Sequence, residues 1–167
     1  MILAAFEPAG IDSLAPAVEV LAQFELFVEP LLMEAATGET PDLSRFAFRA
    51  AQNGACIVIT ATHEERFARG LAAACQVPTI RIPLAGDASA AAGLAVLTEG
   101  LAGAETDPAG PESGSFATVA LGAAGAKNAA LLAISILALR DERLRGAWHA
   151  FRAAQTQAVL SQPPPGE

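Results

Sequence analysis

An α/β fold, a three-layer α/β/α sandwich with a central parallel sheet, is what this 167-residue sequence predicts. Three observations carry that expectation. Short apolar runs alternate along the chain with stretches whose apolar residues recur at helical spacing. The links between them are short, as in a sheet whose strands are joined by packed helices. Several of the runs are also apolar without interruption, which suits strands buried on both faces. The combination is that of a flavodoxin-like or Rossmann-like sheet, whose sites lie at the carboxyl ends of the strands.

Ile2 to Phe6 is the first such run, and Glu7-Pro8-Ala9-Gly10 turns the chain. Asp12 or Ser13 can cap a helix reaching about Phe24, with Leu14, Val18, Leu21 and Ala22 on one face. Leu26 to Met33 is a second strand, and Pro30 assigns it to an edge or a bulge because proline cannot donate to a ladder. Thr40 then caps a helix with Pro41 at its first position, and Asn53-Gly54 ends it near Gln52. Ala55 to Ala61 is the third strand; Thr62 to Arg69 is polar, and a helix follows to Ala74. Val77 to Leu84 is the fourth strand, and Asp87 or Ser89 caps a helix to about Leu97. Residues 100–115 have the Gly, Pro, Ser and Thr content of a mobile loop. Phe116 to Leu121 is the fifth strand, Gly122 to Gly125 a tight turn, and an apolar helix runs to about Leu139. Asp141 or Glu142 opens a last helix with Leu144, Trp148, Phe151 and Val159 near one stripe.

The length suits one domain, residues 1–160, followed by a Pro-rich tail over 161–167. The chain is 53% hydrophobic, and much of that share is alanine, which packs helices closely but buries little area per residue. Further burial between subunits would add stability, so a homo-oligomer is expected. A net charge of −8, without a cluster of Lys and Arg, argues against nucleic acid and against an anionic membrane surface. Met1 to Phe6 has no basic flank and meets Glu7 at once, so it does not read as a signal peptide. The apolar stretch from Phe116 to Leu139 is broken by Lys127 and Asn128, leaving neither half long enough to span a bilayer. Cys56 and Cys75 are expected to be buried free thiols of a cytoplasmic protein.

The segment Ala117-Thr118-Val119-Ala120-Leu121-Gly122-Ala123-Ala124-Gly125-Ala126-Lys127-Asn128-Ala129-Ala130-Leu131-Leu132-Ala133 carries a more specific signal. It resembles the late segment of the PurE-type family, the class I phosphoribosylaminoimidazole (AIR) carboxylases and N5-carboxyaminoimidazole ribonucleotide mutases of purine biosynthesis. There a strand ends in a G-x-A-G turn and a helix opens N-A-A-L-L-A. Ile136-Leu137-Ala138 continues the likeness, and Phe151 to Leu160 is similar to the family's closing helix. Weaker agreement runs upstream through Val77-Pro78, Pro83, Asn53-Gly54 and Thr40-Pro41-Asp42. The resemblance implies a homo-octamer in which the last helix lies across a neighbour, with Trp148 and Phe151 as interface anchors. No cofactor is expected.

The resemblance also implies three active loops: G-S-x-S-D after the first strand, S-A-H-R-T-P after the second and G-G-A-A-H-L-P-G after the third. The first two hold a ribonucleotide phosphate, and a histidine shuttles protons during carboxylate transfer. Each loop departs here. Glu7 to Asp12 lacks the serines, with Gly10 near the aspartate position and Asp12 a shifted candidate. Ala36-Thr37-Gly38-Glu39-Thr40-Pro41 puts Gly38 at the histidine and Glu39 at the arginine. Thr62 to Gly70 replaces the third loop, with Phe67 at its histidine and Arg69 at its proline.

Neither glycine nor phenylalanine can transfer a proton, and loss of a positioned acid or base typically costs ~10²- to 10⁴-fold in rate. Exchanging arginine for glutamate removes a bidentate phosphate partner and brings a repulsion of about 4 kcal/mol between unit charges at ~4 Å. The expected cleft comprises Glu7, Gly10, Asp12, Gly38, Glu39, Thr40, Thr62, His63, Glu64 and Glu65, with an acidic mouth and room for a small-molecule or nucleotide-like ligand. A catalytically silent relative is the first reading. An enzyme rebuilt around His63 is the alternative, or metal-dependent chemistry with His63 and Glu64 as weak ligands. A solvated acidic loop at a helix N-terminus is the bland account of the same residues. His149 is expected at the surface or an interface, and Ser13, Ser44 and Ser115 as caps or loop residues.

Overall fold

The computed structural model describes residues 2–6, 10–32, 43–84, 98, 114 and 116–162. The elements run β1 (Ile2–Phe6), α1 (Ile11–Gln23), β2 (Val28–Leu32), α2 (Leu43–Gln52), β3 (Ile57–Thr62), α3 (Glu65–Cys75), β4 (Thr79–Pro83), β5 (Phe116–Thr118), α4 (Gly122–Leu137) and α5 (Glu142–Leu160). The five strands form one parallel sheet in the order β2-β1-β3-β4-β5. This is the flavodoxin-like order, with the reversal of winding between β1 and β3.

β3 lies at the centre, paired with β1 and β4, and every one of its residues is buried. Its alternation sorts two cores. Ile57, Ile59 and Ala61 face α1 and α4, together with Ile80 and Ile82 of β4. Val58 faces the other way, into a smaller cluster with Phe46 and Ala50 of α2 and Phe67 and Leu71 of α3. Helices α1 and α4 meet through small residues, Ala17 against a row of Ala126, Ala129, Ala130 and Ala133, which allows close approach. β2 is an edge strand, so Pro30 leaves no central ladder bond unmade.

Several expectations are corrected. The cap of α1 is Gly10, with Asp12 in the first turn, because the backbone there must come close to the sheet. A Cβ on Gly10 would lie 3.0 Å from both the Cβ and the carbonyl oxygen of Ala61. α3 begins at Glu65 rather than after Arg69. β5 ends at Thr118. Val159 is off the packed stripe of α5, 67% exposed, whereas Leu144 is buried, Trp148 and Phe151 stack on each other, and both meet Phe24 of the same chain, Trp148 at a tilt and Phe151 edge-on. The expected helix to Leu97, the loop over 100–115 and the Thr40 cap fall outside the described residues, apart from Thr98 and Gly114.

Two side chains hold the start of α5 in place. Asp141 accepts a hydrogen bond from the Leu144 amide at 3.0 Å, capping the helix as expected. Arg145 reaches back and donates to the Ala138 and Leu139 carbonyls, two acceptors left open by the end of α4. From Arg152 to Leu160, by contrast, every residue is exposed.

The thiols also differ from expectation. Cys56 precedes β3 and is exposed, while burial raises the pKa of Cys75. Since the thiolate is the nucleophile, iodoacetamide at mildly alkaline pH should alkylate Cys56 first and Cys75 slowly. Peptide mass spectrometry over a time course checks the order, and equal rates would contradict the described burial.

Candidate functional site

At the point where the sheet reverses its winding, the start of α1 lies against the carboxyl end of β3, with Gly10 directly against Ala61. The connection that follows β3 is very short. Thr62 closes β3, His63 and Glu64 make the turn, and Glu65 is the first residue of α3.

The chain builds that turn from its own side chains. The Thr62 hydroxyl accepts from the Glu64 amide at 3.1 Å, a local turn that satisfies a donor at the start of the helix. The Thr62 carbonyl accepts from Leu84 N, tying the turn to the end of β4. Arg81 of β4 donates from Nη2 to the His63 carbonyl at 2.7 Å. His63 itself is partly exposed.

Of the carboxylates expected to face the cleft, two are described in detail, and both are paired. Glu64 accepts from Arg66 Nε at 2.8 Å, and this pairing raises the pKa of the exposed Arg66 further. Glu65 pairs with Arg69 one helical turn on. Arg69 in turn lies 5.9 Å from the centre of the Phe116 ring, over β5. The acidity of this mouth is therefore locally offset by two arginines. Asp12 is exposed in the first turn of α1. Glu7, Gly38, Glu39 and Thr40 lie outside the described residues.

Phe67 stands apart from the turn. It occupies the inward face of α3, is 4% exposed, and meets Phe46 edge-on with ring centres 6.0 Å apart. The segment expected to replace an open glycine-rich loop is helix from its fourth residue on, so this position serves the core. Among the described residues, no three His, Cys, Asp or Glu side chains are grouped to hold a metal ion. No helix of the described residues is long and apolar enough to cross a membrane.

Arg81 was not legible as part of this site. It sits in Thr79-Ile80-Arg81-Ile82-Pro83, and alternation alone would aim it at solvent or a cleft. Instead it is 1% exposed on the α3 side of the sheet, in register with Thr60 of β3 and Thr118 of β5. The Thr60 hydroxyl on the same face is fully buried and has no hydrogen-bond partner among the described residues.

Fold and turn together define a flavodoxin-like α/β protein whose candidate site opens at the β1/β3 switch point. The chain belongs to the AIR carboxylase family, whose model matches residues 10–158. It is 33% identical to an N5-carboxyaminoimidazole ribonucleotide mutase of Vibrio vulnificus over 153 residues, covering 90% of this chain and 88% of that protein. It is 35% identical to the mutase of that name from Escherichia coli over 145 residues, covering 85% and 80%. The crystal structure of Treponema denticola PurE superposes with a TM-score of 0.68 over 96% of this chain and 95% of that one, at 18% identity.

Proposed function

We propose that this chain is a family member of purine biosynthesis that has kept the scaffold and not the family reaction, acting as an oligomeric binding or structural protein. The observation that carries the reading is the place of Phe67. At the position where the resemblance implies a proton-carrying histidine, the chain has a phenyl ring committed to the core between α2 and α3. The glycine at 38 and the glutamate at 39 add to it, since the first cannot move a proton and the second repels a phosphate.

Assembly is the other half of the proposal. An open groove of about 420 Å³ lies between α4 and α5, lined by Ser135, Ile136, Leu139, Arg145, Trp148 and His149. Beyond it, on the last turn of α5, Val159 and Leu160 are exposed. An alanine-rich helix with apolar residues in water on its last turns gains stability when a second copy covers it. A homo-oligomer, an octamer by family resemblance, is the assembly we assign.

Two measurements test this. Purified protein given N5-carboxyaminoimidazole ribonucleotide should move its carboxyl group at least ~10²-fold more slowly than an active mutase under the same conditions. Carboxyl migration at ordinary enzyme rates would overturn the silent reading. In that case His63→Ala decides the alternative: loss of the activity assigns it to a site rebuilt around His63, and full retention removes that version. Light scattering coupled to size exclusion reads the assembly, and a monomer would remove the oligomeric half.

A further inference from the structure

We infer that Arg81 is the positioning residue of the cleft, a guanidinium inside the sheet that sets the β3–α3 turn and with it the placement of His63. A buried guanidinium is costly unless its donors are used. Here Nη2 is spent on a backbone carbonyl that regular structure does not engage, the His63 oxygen in the middle of a two-residue connection. Arg81 is itself held rigidly. Its strand pairs on both sides, and its own carbonyl accepts from Val119 N at 3.0 Å. The turn is thus pinned from two directions, by Thr62 from within and by Arg81 from the neighbouring strand.

A short connection needs such an anchor. With only His63 and Glu64 between strand and helix, a rotation of the His63 peptide would swing the imidazole and displace the Glu64 amide from the Thr62 hydroxyl. A charge-assisted bond to a carbonyl is roughly twice as strong as a neutral one, so Arg81 fixes one orientation of that peptide. The consequence for the cleft rests on the proposed reading of this turn as one of its walls. The consequence for the turn does not.

The test uses full-length protein as it assembles, with Arg81→Gln and the conservative Arg81→Lys. Amide hydrogen exchange by mass spectrometry reads the Glu64 amide, and imidazole C2-hydrogen exchange reads the two histidines separately. His149 of α5, in the groove against α4 and not in the β3–α3 turn, is the internal control. We expect exchange at Glu64 to accelerate by about tenfold or more in Arg81→Gln while peptides of α1 and α4 keep their protection. The His63 imidazole rate should change, the His149 rate should not, and Arg81→Lys should restore part of both effects. Unchanged Glu64 and His63 rates in Arg81→Gln would overturn the inference, as would a uniform loss of protection through α1 and α4. Should Arg81→Gln fail to fold, Arg81→Lys alone decides, its inference standing only if the change is confined to the turn. Adding N5-carboxyaminoimidazole ribonucleotide separates the two readings. If it protects neither His63 nor the Glu64 amide in the wild-type chain, the cleft reading fails for that ligand while the role of Arg81 is judged by the variants.

Discussion

Replacing Gly125 by alanine is expected to unfold the domain or remove most of its stability. A Cβ at this position would run into the backbone carbonyl group of Ala120, well inside the distance at which non-bonded atoms coexist. The obstacle is backbone rather than a flexible side chain, so relief requires α4 to lift from the end of β5. α4 carries Ala126, Ala129, Ala130, Ala133 and Ile134 into the larger core, and lifting it would unpack them from α1. A loss of about 4 kcal/mol or more is expected, against a total of about 5–15 kcal/mol for a domain of this kind. Two other glycines isolate the cause. Gly122 has φ of +68° with open space around it, so Gly122→Ala should cost only about 1–2 kcal/mol of conformational strain. Gly146 lies in α5 with nothing near its missing Cβ, and Gly146→Ala should stabilise by about 0.5–1 kcal/mol. Urea denaturation of the three variants reads the series. A Gly125→Ala protein as stable as Gly122→Ala would mean that strand and helix are not in contact as described.

That turn shows how far the sequence speaks for itself. The close backbone approach expected at Gly122 and Gly125 from glycine's missing side chain is found at Gly125 alone; Gly122 has open space around it, and the tight turn expected over 122–125 is the first turn of α4. The strands were legible for a related reason. Ile57-Val58-Ile59 has no polar face, and only a sheet covered on both sides accommodates such a run. Pro30 restricted β2 to an edge or a bulge, and the sheet order places it at the edge.

What was obscured is where charge overrides pattern. His63 to Arg69 holds five ionisable residues in seven, and polarity of that density reads as loop. The helix was nonetheless written there. Phe67, Ala68, Leu71 and Ala72 recur at helical spacing, and Glu65 with Arg69 forms an i,i+4 pair. The same limit hid Arg81. A charge between Ile80 and Ile82 fits a strand with one wet face, and nothing local says that both faces are covered. Only the sheet order, which puts β4 between β3 and β5 beneath α3, makes the position interior. Cys56 failed in the opposite direction: an apolar neighbourhood in sequence did not place it inside, because it precedes the first paired residue of β3.

Phe67→His is the substitution that decides how the third loop should be understood. If residue 67 stood in an open loop at the place of a proton-carrying histidine, an imidazole there would be tolerated and could carry a proton; the described packing forbids both. The ring lies among Val58, Phe46 and Leu71, and a histidine would bury a polar N–H in that apolar cluster while losing the edge contact with Phe46. We expect a loss of about 2–4 kcal/mol from the combined desolvation and packing defect, with no gain of carboxyl transfer. Phe67→Ala should lose about 3–5 kcal/mol by the cavity it leaves. Arg66→His is the matched control, because its side chain is 78% exposed beside the turn, and it should change stability by no more than about 0.5 kcal/mol. Urea melts of the three proteins, with the ribonucleotide assay run on each, give the answer together. A stable Phe67→His protein would mean that α3 begins later than Glu65 and that the chain still offers an open loop at this place. The silent reading would then lose the observation it stands on, whatever the assay showed for the wild-type chain.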